Sequence, residues 1–318
     1  MTQRPEELKG KNILITGGAG FIGSHITDRL SFENNVTVLD NLYTGTLANL
    51  DKSKDRITFV EGDILDETLV KKIIRKVEYV FHLAANVGNI RSIENPLFDM
   101  NVNIKGTLNL LEACLGSNIK RFIYTSSAAI FGEAKYLPLD EDHTLNPESP
   151  YAVSKLAAEK YCFAFHEVHG IPTTALRYFN AYGPRQDTSE YANAISIFMD
   201  KVRDKKKIKI YGDGKQTRDF IFIDDIVNAN VLAATQPSAV GEIFNIATGT
   251  SASIERLVNI ILQITKLKNH QIVHGPSRAG EVRDSWANIT KAQKLLSYAP
   301  KTGLEEGLRL TWKEMAKE

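Results

Sequence analysis

The chain has 318 residues, 43% hydrophobic and 24% charged, with 39 Lys and Arg against 38 Asp and Glu, a formal charge of +1. That length suits one large α/β domain with a smaller lobe. The even charge balance lacks the basic excess of a nucleic-acid or anionic-membrane binder, and the run Lys205-Lys206-Lys207 reads as a solvated turn. The polar segment Met1 to Lys11 has no apolar core like that of a signal peptide, and no stretch approaches the ~18–20 apolar residues of a membrane span. The two cysteines, Cys114 and Cys162, lack metal-ligand or redox spacing and read as reduced thiols. The expectation is a cytoplasmic protein that binds neither nucleic acid nor membrane, and no metal.

In chain order, short apolar strands are predicted at Asn12–Thr16, Val36–Asp40, Ile57–Glu61, Tyr79–Leu83, Phe122–Ser126 and Thr173–Arg177. Helical spacing separates several of them. Met100, Ile104, Leu108, Leu111 and Leu115 recur every three or four positions and form one apolar stripe. Strands alternating with helices predict a doubly wound parallel sheet, because a parallel connection needs a crossover. Beyond about residue 180 turn-rich loops intervene, followed by helical patterns at Asp225–Ala234, Ser253–Thr265 and Thr290–Ser297. The fold expected is a Rossmann-like α/β domain over residues 1–178 and a smaller mixed α/β lobe over 179–318. Residues 218–236, with the apolar run Phe220–Ile223, are the candidate for a segment that returns to the first sheet.

Gly17, Gly20 and Gly23 follow the first strand with G-x-x-G-x-x-G spacing. Such glycines let backbone approach a pyrophosphate, and the next helix presents free amides and a positive dipole end to that anion. Asp40 ends the second strand about 20 residues later, where an acidic side chain binds ribose hydroxyls and would repel the 2′-phosphate of NADP. Asp63 follows the third strand, where an adenine edge would lie. NAD is therefore the expected cofactor.

Ser149-Pro150 reads as a helix start, which puts Tyr151 and Lys155 on one helix face, four residues apart. A tyrosine hydroxyl ordinarily titrates near ~10 and needs help to act as a base at neutral pH. A neighbouring ammonium and a cationic nicotinamide both favour the phenolate. Ser127 would add a hydrogen bond to a substrate hydroxyl.

With these motifs in hand, the chain resembles an extended short-chain dehydrogenase/reductase of the NAD-dependent nucleotide-sugar epimerase/dehydratase family, over nearly its whole length. Thr16 to His25 is similar to the family's cofactor loop, His82-Leu83-Ala84-Ala85 to its motif after the fourth strand, and Asn103 to Thr107 to its asparagine-containing helix. Thr125-Ser126-Ser127 with Tyr151 and Lys155 resembles its catalytic set, and Arg177 to Arg185 its segment between nicotinamide and substrate phosphate. The resemblance implies a cofactor site of Gly17, Gly20, Phe21, Ile22, Gly23, Asp40, Asn41, Asp63, Ile64, Leu83, Ala84, Ala85, Asn103, Ser126, Tyr151, Lys155 and Tyr178. It implies a substrate site of Val87, Ser127, Tyr151, Phe179, Asn180, Asn193, Ala194, Tyr211, Arg218, Arg278 and Ser285. Tyr211 would border the uracil, and Arg218, Arg278 and Asn180 would hold the diphosphate, for which guanidinium is a suitable fork of donors.

Ala128 and Ala129 stand where the family's dehydratases and decarboxylases resemble one another in carrying an acid, so the resemblance implies a UDP-hexose 4-epimerase. In that reaction Tyr151 would take the 4-hydroxyl proton while the C4 hydride moves to NAD. The 4-keto sugar would turn about its diphosphate tether and be reduced on its other face. Ser285 aligns with a gate beside the C2 substituent, and its small size leaves space for an N-acetyl group. Phe131 replaces the family's usual tyrosine and Ser196 a common proline, and Val87 stands where some epimerases carry a lysine. The family's dimers imply a homodimer through the Met100 to Leu115 stripe and the helix after Tyr151. The competing readings are a UDP-glucuronate epimerase or decarboxylase, a reductase, and a non-catalytic NAD-binding sensor.

Overall fold

The structure is a computed structural model that describes residues 8–187, 193–267, 270–277 and 282–316. Its first part runs β1 (Asn12–Thr16), α1 (Phe21–Leu30), β2 (Asn35–Asp40), β3 (Ile57–Glu61), α2 (Glu67–Ile74) and β4 (Tyr79–His82). It continues through α3 (Asn89–Glu94), α4 (Pro96–Met100), α5 (Gly106–Cys114), β5 (Arg121–Ser127), α6 (Pro150–His169) and β6 (Thr173–Tyr178). The strands predicted from apolar runs therefore form within one or two residues of their expected ends. Their centres are rich in apolar residues because helices cover both faces of a parallel sheet; β4 and β6 are buried at every position.

The rest comprises β7 (Asn180–Tyr182), α7 (Ala194–Arg203), β8 (Ile208–Tyr211), β9 (Thr217–Arg218), β10 (Phe220–Phe222), α8 (Ile223–Thr235) and β11 (Glu242–Ile246). It ends with β12 (Ala252–Ser253), α9 (Ile254–Thr265), β13 (Ile272–Gly275), β14 (Asp284–Ser285), α10 (Thr290–Leu296) and α11 (Leu304–Met315).

A seven-stranded sheet has the order β11-β6-β5-β4-β1-β2-β3, and each neighbouring pair is parallel. The order reverses between β1 and β4, which opens a crevice at the carboxyl ends of the strands. Two expectations need correction. Phe220–Phe222 does not rejoin this sheet; it pairs with β7 in a two-stranded sheet of its own. What returns is α8, which packs on α1 and β5, and then β11, which pairs with β6 from Glu242↔Thr174 to Ile246↔Tyr178. At five residues, with only Phe244, Asn245 and Ile246 buried, β11 carries little sequence signal.

The stripe on α4 and α5 also differs. A π-helical turn at Asn101–Lys105 interrupts the helix and shifts the phase of the inward face to Asn103, Thr107, Leu110, Leu111 and Cys114. Met100 is left 43% exposed and Leu115 44%, although simple 3.6-residue periodicity put both on the buried side.

Candidate active site

The loop after β1 is shaped by steric contact. Gly17 has φ of +69°, and a Cβ there would stand 2.7 Å from the Ala84 backbone nitrogen. At Gly23 a Cβ would stand 2.1 Å from the Gly17 carbonyl oxygen, so α1 can lie this close to the loop only with glycine. Helix α1 starts at Gly20 with no side-chain cap and no acidic residue in its first turn. Its first amides are thus left for an anion.

Asp40 stands on the cleft wall at the end of β2, where the sequence predicts the adenosine ribose. Its Oδ2 accepts from the Ala19 amide at 2.9 Å and its Oδ1 from the Leu42 amide at 2.8 Å. Each carboxylate oxygen keeps a further lone pair for a ribose hydroxyl. Asn41 donates from Nδ2 to Asp63 Oδ2 at 2.8 Å, which joins the ends of β2 and β3. These residues, with the glycine loop, Phe21, Ile22, Ile64 and Leu83-Ala84-Ala85, line one cleft of about 840 Å³. A cradle that excludes Cβ atoms, free helix-start amides and a carboxylate at the end of β2 together fit an NAD pyrophosphate and adenosine ribose.

The catalytic candidates lie further along the same cleft. Ser149 Oγ accepts from the Ala152 amide at 3.2 Å and Pro150 takes the first turn, which starts α6 where its sequence indicated. Tyr151 and Lys155 then lie one turn apart, both on the cleft wall with Ser127 from the end of β5. Desolvation pushes the Tyr151 hydroxyl up to about 12, opposed by a hydrogen bond with Ser127 and assisted by the charge of Asp99. Lys155 is 3% exposed, and its Nζ sits 4.5 Å from the centre of the Tyr124 ring. Burial lowers its pKa to about 8, although Cys162, Asp99 and Glu159 act in the opposite direction.

Phe179, Asn180, Asn193, Arg218, Ser285 and Val87 line the same cleft. Arg218 Nη1 donates to the carbonyls of Thr217 at 2.7 Å and Arg283 at 3.2 Å, and Ser285 is its partner in the β14–β9 pairing. Buried Asp219 holds this part together by accepting from the amides of Thr248 and Gly249 at 2.8 and 2.9 Å. Burial raises the Asp219 pKa, against those hydrogen bonds.

Not every expected residue reaches the cleft. Asn103 is turned inward: its Nδ2 donates to the Asn86 carbonyl at 3.0 Å and to Ser154 Oγ at 2.9 Å, so it supports the wall from behind. Ser126 does reach the cleft at its strand end, with its hydroxyl donating to Glu159 Oε2 at 2.6 Å. Ala194 and Tyr211 are not part of the described wall; Tyr211 ends β8 with Lys209 Nζ 4.7 Å from its ring centre. Arg278 lies outside the described residues.

A glycine loop, an acidic β2 end and a serine, tyrosine and lysine set on one cleft are matched by a family profile over residues 13–247, that of the NAD dependent epimerase/dehydratase family. The chain belongs to that family. NAD is its cofactor. The chain is 36% identical over 303 residues to a UDP-glucose 4-epimerase of Mycolicibacterium smegmatis, covering 94% of this chain and 96% of that protein. Among solved structures it is similar to a UDP-glucose 4-epimerase of Thermotoga maritima with UDP-glucose, at TM-score 0.92 and 40% identity over 96% of this chain and 99% of that one. It is also similar to a UDP-N-acetylglucosamine 4-epimerase of Methanobrevibacter ruminantium in complex with UDP-N-acetylmuramic acid, at TM-score 0.93 and 39% identity, covering 97% and 99%.

Beyond its motifs, this family member brings groups to the site that motif reading missed. Asp99, 1% exposed, accepts from Asn86 at 3.0 Å, Asn103 at 3.1 Å and the Ser154 hydroxyl, a buried polar network behind Tyr151 and Lys155. Tyr43 from the loop after β2 meets Phe98 of α4 at 5.2 Å, both on the cleft wall at its adenosine end. Arg91 and Asp187 pair at 3.3 Å on the same wall. Most of these groups converge from distant sequence positions, and Asp99 and Asn103 are one helical turn apart.

The shifts of Tyr151 and Lys155 set the expected pH dependence. A lysine must be protonated to support a phenolate, so kcat should fall as pH rises through about 8, the lowered Lys155 value. Initial rates measured across pH with NAD bound test this; a rate that stays level well above that value contradicts it.

Proposed function

We propose that this family member is a UDP-hexose 4-epimerase acting on UDP-glucose and UDP-galactose, with tolerance of the N-acetylhexosamine forms. The observation that carries this reading is the chemistry beside Ser127. Ala128 and Ala129 line the cleft there with methyl groups, and the carboxylates of the described wall lie elsewhere, among them Asp40 and Asp63 at the adenosine end. Dehydration or decarboxylation would call for a second acid or base beside Tyr151. Reversible oxidation at one carbon does not. The three similar proteins described above carry the names of 4-epimerases, which supports the same reading.

NAD, when bound, supplies a reversible hydride acceptor for C4 of the hexose. Tyr151 takes the 4-hydroxyl proton and returns it once the sugar has turned, so one acid–base group serves both faces. Lys155 holds the phenolate by its charge, and Ser127 orients the hydroxyl. Arg218 and Asn180, with Arg278, anchor the diphosphate while the sugar moves, within a substrate-binding lobe formed after residue 178. A non-catalytic sensor would have no use for a base with a lysine behind it. Purified protein incubated with UDP-galactose, without added cofactor, should form UDP-glucose, and Tyr151→Phe should lower kcat by roughly a hundred- to ten-thousand-fold. Unchanged UDP-galactose with NAD supplied would defeat the reading and direct attention to UDP-glucuronate.

The small Ser285 side chain leaves the C2 side of the hexose open. Ser285→Tyr should lower kcat/KM for UDP-N-acetylgalactosamine by about 100-fold, with a change of only a few-fold for UDP-galactose. Equal losses on both substrates would remove the gate.

We further place the enzyme in the cytoplasm as a homodimer. The free, buried Cys114 and Cys162 suit a reducing compartment. Leu97 at 70%, Ile93 at 64%, Val153 at 50% and Met100 at 43% exposure leave α3, α4 and α6 with apolar groups in water, and the partly turned-out stripe continues them. Leu97→Asp should convert the dimer to monomer in light scattering; a parent that is already monomeric refutes the dimer.

A further inference from the structure

Behind the catalytic residues lies an ion pair that the reaction does not use directly. Glu159 is 0% and Arg177 1% exposed. Arg177 donates from Nε to Glu159 Oε2 at 3.1 Å and from Nη2 to Oε1 at 2.7 Å, a two-pronged fork. Its remaining Nη1 donates to the Glu141 carbonyl at 2.9 Å, and its guanidinium lies 5.1 Å from the Phe131 ring centre. Ser126 donates to Glu159 Oε2 as well.

The placement of this pair matters more than its energy. Tyr151, Lys155 and Glu159 follow one another at steps of four along one face of α6. Ser126 and Arg177 are register partners on β5 and β6, and the next pair in that register is Ser127 and Tyr178, both on the cleft wall. Glu159 therefore ties the helix that carries the base to the two strand ends that carry its neighbours. A buried ion pair is weak evidence of stability, because well-packed apolar residues often serve as well. What it adds over an apolar contact is direction: a planar fork accepts one rotation and one axial position of the helix.

We infer that Glu159, through its fork with Arg177 and its bond from Ser126, is a positioning residue that sets Tyr151 and Lys155 against Ser127. The inference rests on Tyr151 being the proton acceptor, and not on which sugar is used. The groups facing Lys155 are Glu159 and Cys162 on its own helix, Asp99 on α4, Tyr124 on β5, and His82 on β4, the last kept neutral by burial with its pKa lowered to about 3. Those facing Tyr151 are Ser127 and Asp99.

The test uses the NAD-loaded enzyme and titrates Tyr151 by tyrosinate difference absorbance against the same protein carrying Tyr151→Phe. The variants are Glu159→Gln, the charge-neutral double Glu159→Gln/Arg177→Gln, and the milder Ser126→Ala. The double variant is expected to raise the Tyr151 midpoint by about one pH unit and to lower kcat about tenfold with KM little changed. Ser126→Ala should move the midpoint the same way by less. A Tyr151 midpoint equal to the parent's in every folded variant overturns the inference, whatever happens to melting temperature or rate, because a merely structural pair would alter stability alone. The titration reads out even if UDP-galactose is not the substrate, so failure of the proposed function and failure of this inference are separable.

Discussion

The reversal of strand order between β1 and β4 is the constraint on which the site depends. Crossovers to one side of β1 run through β2 and β3, and those to the other side through β4, β5 and β6, so none of the described helices covers the carboxyl ends of the strands where the two directions part. The glycine loop after β1, the carboxylate after β2 and the Ser127 end of β5 open on that gap for the same topological reason. Helix α6 approaches the gap because it must cross from β5 to β6. Its first turn therefore carries Tyr151 to the place where Ser127 leaves the sheet.

Burial at this place works against the chemistry before it assists it. Desolvation raises the tyrosine and lowers the lysine, which are the wrong directions for a phenolate beside an ammonium. The protein answers with groups that face the pair: Ser127 hydrogen-bonds the tyrosine, while Asp99 and Glu159 favour the charged lysine. Asp99 also disfavours the phenolate, so the balance is left to the cationic cofactor. A phenolate that forms readily only when NAD is present couples the availability of the base to the presence of the hydride acceptor.

Much of this was legible in the residues. Parallel strands buried on both faces read as apolar runs, the glycine spacing follows from steric exclusion at Gly17 and Gly23, and Tyr151 and Lys155 lie within one helix. Where the reading fell short, contacts distant in sequence decided. The phase of the helix around Asn103 changed because a π-helical turn intervenes, and Ser126 turned to Glu159 because a buried carboxylate needs donors. The last strand of the main sheet was hidden because five residues at its edge show no clear alternation.

By itself the sequence determined the first six strands of the sheet, the cofactor and the candidate base, since each depends on local backbone sterics or on residues within one element. Tertiary structure alone decided which groups stand behind that base. The Glu159–Arg177 fork spans 18 residues and the bond between Ser154 and Asp99 spans 55, and β11 returns to pair with β6 after α7 and α8 have intervened. Such contacts leave no spacing in the chain, because the side chains meet only after the strands have taken their order.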